Sequence, residues 1–194
     1  MCGRYTFQNN KTIKEKHNIE VTPNYNVCPS TKVPVLSSQL NFMHWGYTPN
    51  WAKTPMNIIN ARYETIKDKP MFKTMKRCIM IMDGWYEWSR QFNWKRRENK
   101  KTPYYHHIDG NLIYMGALFV DDQCICVTKS SSGNIAKIHS RQPLLLNEDQ
   151  LSDWLGGDYV VTDKVSKDIK IYEVSSYMNS PANNDINCIK SLEI

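Results

Sequence analysis

The chain has 194 residues, 41% of them hydrophobic, and its 25 Lys and Arg outnumber its 19 Asp and Glu to give a formal charge of +6. That length suits a single domain, residues 1–194, with a substantial core. No apolar run approaches the roughly 20 residues needed to span a bilayer, and the N-terminus lacks a signal-peptide h-region. These features argue against a membrane protein and for a soluble chain of the cytoplasm or nucleoid, or of the nucleus in a eukaryote.

Short runs of β type dominate the chain order: Lys32–Ser37, Gln39–Trp45, Arg77–Met82, Tyr86–Ser89, Tyr104–Ile108, Leu112–Phe119, Gln123–Thr128, Tyr159–Val161 and Ile171–Val174. Asp109-Gly110-Asn111 reads as a hairpin turn between two of them. Helices are predicted over Lys11–His17, Glu64–Met75, Gly133–Ile138 and Glu148–Leu155. The last has Asn147 and Gln150 as a capping pair, Leu151, Trp154 and Leu155 as an apolar face, and Gly156-Gly157 as a stop. The expectation is an α+β fold built on a curved, mainly antiparallel sheet with a barrel-like core and short flanking helices.

Cys2 stands directly behind the initiator methionine in Met1-Cys2-Gly3-Arg4-Tyr5. Removal of Met1 leaves a free amine beside a thiol, a pair that condenses with an aldehyde to a Schiff base and closes on it as a thiazolidine. An α-amine titrates at about 7.7–8.0 and a thiol at about 8.5, so the reactive forms of both are accessible near neutrality. The other cysteines, at 28, 78, 124, 126 and 188, read as packing residues. The six show neither Cys-x-x-Cys nor paired Cys/His metal spacing, and neither a metal nor an organic cofactor is expected.

Glu87 lies among aromatic residues in Gly84-Trp85-Tyr86-Glu87-Trp88, where desolvation favours a raised pKa and proton transfer. Strand alternation sends Trp85 and Glu87 to one face and Tyr86 and Trp88 to the other. His139 is the second proton-transfer candidate, because Arg141 follows at i+2, where extended geometry aims both at a shared anion. Asn60 and Arg62 repeat that spacing, and Arg4 is a third cation beside Cys2, expected to hold DNA phosphate with Arg62 and Arg141. Trp51, in Pro49-Asn50-Trp51-Ala52-Lys53, is either a wedge that stacks on bases or a core tryptophan. The cluster Lys95-Arg96-Arg97 with Lys100-Lys101, behind Trp85, Tyr86, Trp88, Phe92 and Trp94, suits single-stranded nucleic acid, or is a solvated loop over buried rings.

Met-Cys-Gly-Arg-Tyr, Trp45-Gly46-Tyr47-Thr48-Pro49-Asn50-Trp51, Asn60-Ala61-Arg62-Tyr63-Glu64-Thr65, Asp83-Gly84-Trp85-Tyr86-Glu87-Trp88 and Ile138-His139-Ser140-Arg141-Gln142-Pro143 occur in one order along the chain. Together they resemble the SRAP family, the SOS response-associated peptidases or abasic-site processing proteins. The resemblance implies a partner, single-stranded DNA bearing an abasic site, that is captured covalently by Cys2. It makes Glu87 a catalytic acid/base, gives Asn60 the task of positioning the substrate or the N-terminal amine, and gives Arg62 and Arg141 the DNA backbone. Ser140 and Gln142 depart from the family pattern beside the histidine, and Pro70 stands where some relatives carry arginine. No oligomerisation signal is read, and a monomer is expected. Two rivals stay open: an N-terminal-nucleophile peptidase using Cys2 with Glu87 and His139, and a non-covalent single-strand binder.

Overall fold

A computed structural model describes residues 2–93 and 98–192 of the chain. Its strands are β1 (Tyr5–Phe7), β2 (Asn24–Val27), β3 (Lys32–Leu36), β4 (Leu40–Trp45), β5 (Asn60–Arg62), β6 (Lys76–Met82), β7 (Gly84–Asn93), β8 (Glu98–His107), β9 (Ile113–Val120), β10 (Gln123–Ser130), β11 (Arg141–Pro143), β12 (Leu145–Leu146) and β13 (Lys170–Glu173). Three short α-helices accompany them: α1 (Asn10–His17), α2 (Leu151–Gly156) and α3 (Lys164–Lys167).

β10 is hydrogen-bonded to β4, β4 to β3, β3 to β6, β6 to β9, and β9 back to β10, so these strands close a barrel. β5 and β11 extend β10 beyond the closure, and β12 does the same for β9. The pairings of β10 with β4 and β5 are parallel, and the remaining pairings are antiparallel. A second sheet of order β13-β8-β7-β1-β2 packs beside the barrel. The α+β class and the curved, mainly antiparallel core are as the sequence predicts.

One cluster of buried side chains fills the barrel and the space between it and the second sheet, and takes in Trp45, Trp85 and Trp154. Another, with Tyr86, Tyr105, Val174, Met178 and Cys188, lies on the far face of the second sheet. The expected alternation along β7 is therefore present, with Trp85 on one side and Tyr86 on the other. Trp154 of α2 seals the barrel, donating from Nε1 to Cys78 O at 2.7 Å, while the Arg77 guanidinium lies 4.5 Å from its ring centre.

Several local expectations resolve differently. Asp109-Gly110-Asn111 is a turn but joins no hairpin: it carries the chain from β8 in one sheet to β9 in the other. The helix predicted over 64–75 is reduced to 3-10 turns at Tyr63–Thr65 and Pro70–Phe72, because Pro70 forces Lys69 into an extended conformation (φ −76°, ψ 119°). The segment predicted over 133–138 is likewise a 3-10 turn, Ile135–Lys137. Residues 148–156 form a 3-10 turn running into α2, capped by Asn147 and Gln150 and ended at Gly157 (φ 104°). The run 159–161 is not a strand; Tyr159 packs edge-on against Trp154 at 5.6 Å. The basic cluster at 95–97 and Trp94 lie outside the described residues.

Another crossing between sheets, from β6 to β7, depends on Asp83 and Gly84. The Asp83 carboxylate accepts the backbone N–H groups of Gln8 and Asn9, and its own N–H bonds Thr6 O at 2.9 Å. A Cβ on Gly84 would stand 2.4 Å from His106 O and 2.6 Å from the Tyr105 ring. Gly84→Ala is therefore expected to cost about 1–3 kcal/mol by overpacking, read as a lower midpoint at unchanged slope in urea unfolding.

Candidate active site

The N-terminal segment reaches the centre of the molecule by pairing with β7. Tyr5 lies opposite Trp85 in antiparallel register, and Tyr86 N donates to Arg4 O at 3.0 Å. Continued one step, that register brings residue 3 level with Glu87 and Cys2 one position beyond it. Cys2 is fully buried, at 0% exposure.

Asn60 comes to the same place from β5, which runs parallel to β10 with Asn60 opposite Cys126. Its Nδ2 donates to Cys2 O at 2.9 Å. Its Oδ1 is buried with no hydrogen-bond partner among the described residues, an acceptor available for an N–H brought to the site. Cys126 itself is fully buried, its Sγ lying 2.9 Å from Met115 Sδ and 3.3 Å from Val127 O.

Glu87 is 2% exposed, and burial raises its pKa, with the nearby His139 partly opposing the shift. His139 Nδ1 is 3.9 Å from Glu87 Oε2, and the imidazole side chain keeps 28% exposure. The same Nδ1 is 3.0 Å from both Arg141 N and Arg141 O. A neutral ring that accepts the Arg141 N–H carries its proton on Nε2, whereas a protonated ring donates from Nδ1 to Arg141 O. The backbone at 141 thus offers Nδ1 both a donor and an acceptor. His106, by contrast, is stacked on Trp85 and held neutral by burial, its pKa lowered to about 3.

The His139–Arg141 spacing does not aim both side chains at one anion. The imidazole folds back on the Arg141 backbone, while the guanidinium forms a bidentate pair with Glu64 at 2.7 and 2.9 Å and donates to Thr128 O at 2.7 Å. Arg62 is exposed at the end of β5, opposite Thr128 in the parallel register. Arg4 turns inward, donating to Asn26 Oδ1 at 2.7 Å and Met178 O at 3.1 Å, and so ties the N-terminal segment to the C-terminal one. Trp51 is 66% exposed on the loop between Tyr47 and Ile58, which leaves the wedge reading and removes the core one.

Cys2, Asn60, Glu87 and His139 are thus brought together, Arg62 and Arg141 lie along one rim, and Trp51 stands apart on its loop. Sequence reasoning missed Cys126, Glu64 and Asn26. Glu64 was visible within the Asn60–Thr65 motif; nothing in the sequence marked the other two. Gln142, a departure from the family pattern, is buried and accepts from Ser132 N at 3.0 Å while donating to Ser166 Oγ at 2.8 Å. It braces the loop that carries His139, while Ser140 is exposed. Among the described residues no group of three or more His, Cys, Asp or Glu is placed to hold a metal ion.

The family model described as SOS response associated peptidase (SRAP) matches residues 1–187. The chain belongs to the SRAP family. Among curated relatives, it is 29% identical to the abasic site processing protein YoqW of Bacillus subtilis, over 98% of this chain and 100% of that one. It is 34% identical to the abasic site processing protein YedK of Escherichia coli over 68% of this chain and 64% of that one, and 27% identical to HMCES of Mus musculus over 89% and 66%. A crystal structure of a Bacteroides thetaiotaomicron protein shares the fold with a TM-score of 0.69 and 20% identity, covering 87% of this chain and 85% of that one. A phage-related protein of Bordetella bronchiseptica does so at 0.67 and 24%, covering 89% and 94%.

The Glu64–Arg141 pair gives a pH-dependent prediction. Arg141 hydrogen bonding lowers the Glu64 pKa from 4.5 to about 2, so the pair stabilises the fold above the unfolded-state value and is lost as pH falls through the folded one. Because Glu64 is part-exposed and screened, Glu64→Gln is expected to cost no more than about 1 kcal/mol at neutral pH. The difference from the parent should shrink between about pH 4.5 and 2, as compared by parallel urea titrations.

Proposed function

We propose that this SRAP-family chain is an abasic-site processing protein that captures the lesion in single-stranded DNA through Cys2 after loss of Met1. The observation that carries the reading is the full burial of Cys2 with its carbonyl held by the Asn60 amide. It acts as a single SRAP domain and a monomer, inside the cell where single-stranded DNA is exposed. The names of the relatives support DNA containing abasic sites as substrate.

The opened deoxyribose presents an aldehyde. The Cys2 amine adds to its carbon, and loss of water gives a Schiff base. The Cys2 thiolate then adds to the same carbon, the imine nitrogen takes up a proton, and a thiazolidine joins protein to DNA. Overall, amine, thiol and aldehyde become one ring and one water. Glu87, raised by burial, exchanges protons nearer to neutrality than an exposed carboxyl can. His139 relays a proton at the open side of the site, and the Asn60 carbonyl oxygen accepts from the attacking amine. Arg62 holds backbone phosphate beside the lesion. Arg141 joins it by exchanging Glu64 for phosphate, and Arg4 fixes the N-terminal segment. Trp51 stacks on a flanking base. The missing base lowers the cost of presenting the sugar in a pocket.

Intact mass under denaturing conditions, with a single-stranded oligonucleotide carrying one abasic site, tests this reading. The Met1-less parent is expected to gain one oligonucleotide and Cys2→Ala none; a fully processed parent without adduct would overturn capture. Retention of Met1 in Cys2→Ala alone would favour the peptidase reading, and tight binding by both proteins without adduct the non-covalent one. Glu87→Gln is expected to slow adduct formation about 10²–10⁴-fold, measured as a time course at neutral pH.

A further inference from the structure

We propose that the cavity beside the Glu87–His139 pair is a subsite for a nucleotide flanking the lesion, with its base against the rings of Tyr104 and Tyr172 and its phosphate against Lys137. The proposal rests on the abasic-DNA reading and deepens it, since the protein would then recognise a neighbouring nucleotide as well as the exposed aldehyde.

The cavity has a volume of about 680 Å³ and lies between the edge strand β13, its neighbour β8 and the turn that precedes His139. Tyr104 of β8, one of its walls, stands directly opposite Glu87 of β7 in antiparallel register. Residues so paired share a face of the sheet, with Cβ atoms about 5 Å apart, so this wall is one strand away from the Glu87 carboxyl. On the other side, Lys137 and Ile138 line the cavity immediately before His139. Their turn is closed by Ile138 N and His139 N, which donate to Ile135 O at 3.0 and 3.1 Å. Lesion site and cavity are therefore joined by a strand pair and a hydrogen-bonded turn.

The lining has the chemistry of a nucleotide site, and the volume is of the scale that holds one small ligand. Tyr104, His107 and Tyr172 supply planar rings on which a base can stack. Lys137 and Lys170 supply positive charge. Asp109, the acid among the lining residues, is already paired with Lys170 and lies 3.5 Å from His107 Nδ1. Lys137 is exposed at the end of its turn and enters no ion pair among the described residues, so its ammonium can meet a phosphate. A neighbouring cavity of about 600 Å³ shares His107 and Tyr172, but its other walls include Gln8, Asn9, Asn10 and the Asp83 carboxyl, and no residue of the 134–139 turn lines it. Arg62 and Arg141 lie toward β5 and β10, whereas Lys137 lies toward β8 and β13. A strand held at both places would pass across His139.

Fluorescence anisotropy tests this with single-stranded oligonucleotides carrying a tetrahydrofuran analogue of the abasic sugar, which has no aldehyde and so reports binding separately from capture. One oligonucleotide has bases on both sides of the analogue; two others carry a second analogue on the 5′ or the 3′ side, which deletes one base and keeps its phosphate. The parent is expected to lose about tenfold in affinity for one of the two deletions, the scale of one stacked base, and little for the other. Asn134→Trp plugs the cavity from an exposed position whose side chain makes no capping bond. It should bind the intact oligonucleotide about as weakly as the parent binds the sensitive deletion, with no further loss on that deletion. Lys137→Ala should weaken binding of all three and lower the slope of log affinity against log salt by about one. Thermal unfolding checks that both variants are folded. A parent indifferent to both deletions, or a folded Asn134→Trp protein that still discriminates between them, would overturn the proposal. If the parent binds none of the oligonucleotides, the abasic-DNA reading fails, and deoxyadenosine monophosphate decides the cavity: saturable binding by the parent and not by Asn134→Trp would keep it as a nucleotide site, and no binding would sink it.

Discussion

The site depends on one docking event, the antiparallel pairing of the N-terminal segment with β7. Without it Cys2 would be the frayed end of a chain, since termini are ordered only where something ties them down. The tie has a backbone part, the Tyr86 N–H to Arg4 O bond, and a charged part, the Arg4 guanidinium on Asn26 Oδ1 and Met178 O. Asn26 then gathers the carbonyls of Met178, Ser180 and Asn183 on its Nδ2. Charge-assisted hydrogen bonds are worth about 1.5–3 kcal/mol each, enough to hold a short terminal segment. The C-terminal segment thus orders the second residue of the chain, although the two lie at opposite ends of the sequence.

Burial then sets the chemistry. The space between barrel and second sheet is apolar, and it raises the Glu87 carboxyl and the Cys126 thiol alike, because both lose water when charged. The same desolvation would suppress reactivity if it were uniform. It is not, because His139 stands at the exposed side, 3.9 Å from Glu87, with its Nδ1 on the backbone of residue 141. Burial thus disfavours the charged forms of the inner groups, while the imidazole keeps one side open to solvent.

The class of the fold was legible because β-runs and turn residues are local signals, and most predicted strands lie within a few residues of the observed ones. The pairing of those strands was not. Asp109-Gly110-Asn111 has the composition of a hairpin and yet bridges two sheets, because β7 and β13 already flank β8. Proline at 70 overrode a helical pattern that propensity favoured. Within the site, Asn60, Glu87, His139 and Cys2 were recognisable as motif members, but the pairing of Arg141 with Glu64 and the placing of Asn60 opposite Cys126 follow from the parallel contact of β5 with β10. That contact joins segments more than sixty residues apart, and no local pattern encodes it. Arg4 illustrates the converse, a residue read as facing substrate whose side chain braces the fold.

Some of the polar atoms left without a partner among the described residues belong to the site and to the segment that ties it down. Asn60 Oδ1, Arg4 Nε, Arg141 Nε and Trp85 Nε1 are all of this kind, and a buried unsatisfied group costs about 1–3 kcal/mol. In the barrel, by contrast, Trp154 Nε1 and Trp45 Nε1 both reach carbonyls, at 2.7 and 3.1 Å. A chain selected for stability alone would have closed the first set as it closed the second. On the proposed reading Asn60 Oδ1 faces the attacking amine, and Arg141, held at the rim by Glu64, exchanges that glutamate for phosphate. On that reading, the unfilled valences of Asn60 and Arg141 lie where substrate contacts would satisfy them, so the binding of DNA would recover free energy that folding leaves unrealised. On this view the stability of the free protein and the affinity of the complex are opposed at these positions, and filling any one of them from within the protein would strengthen the fold while weakening the hold on DNA.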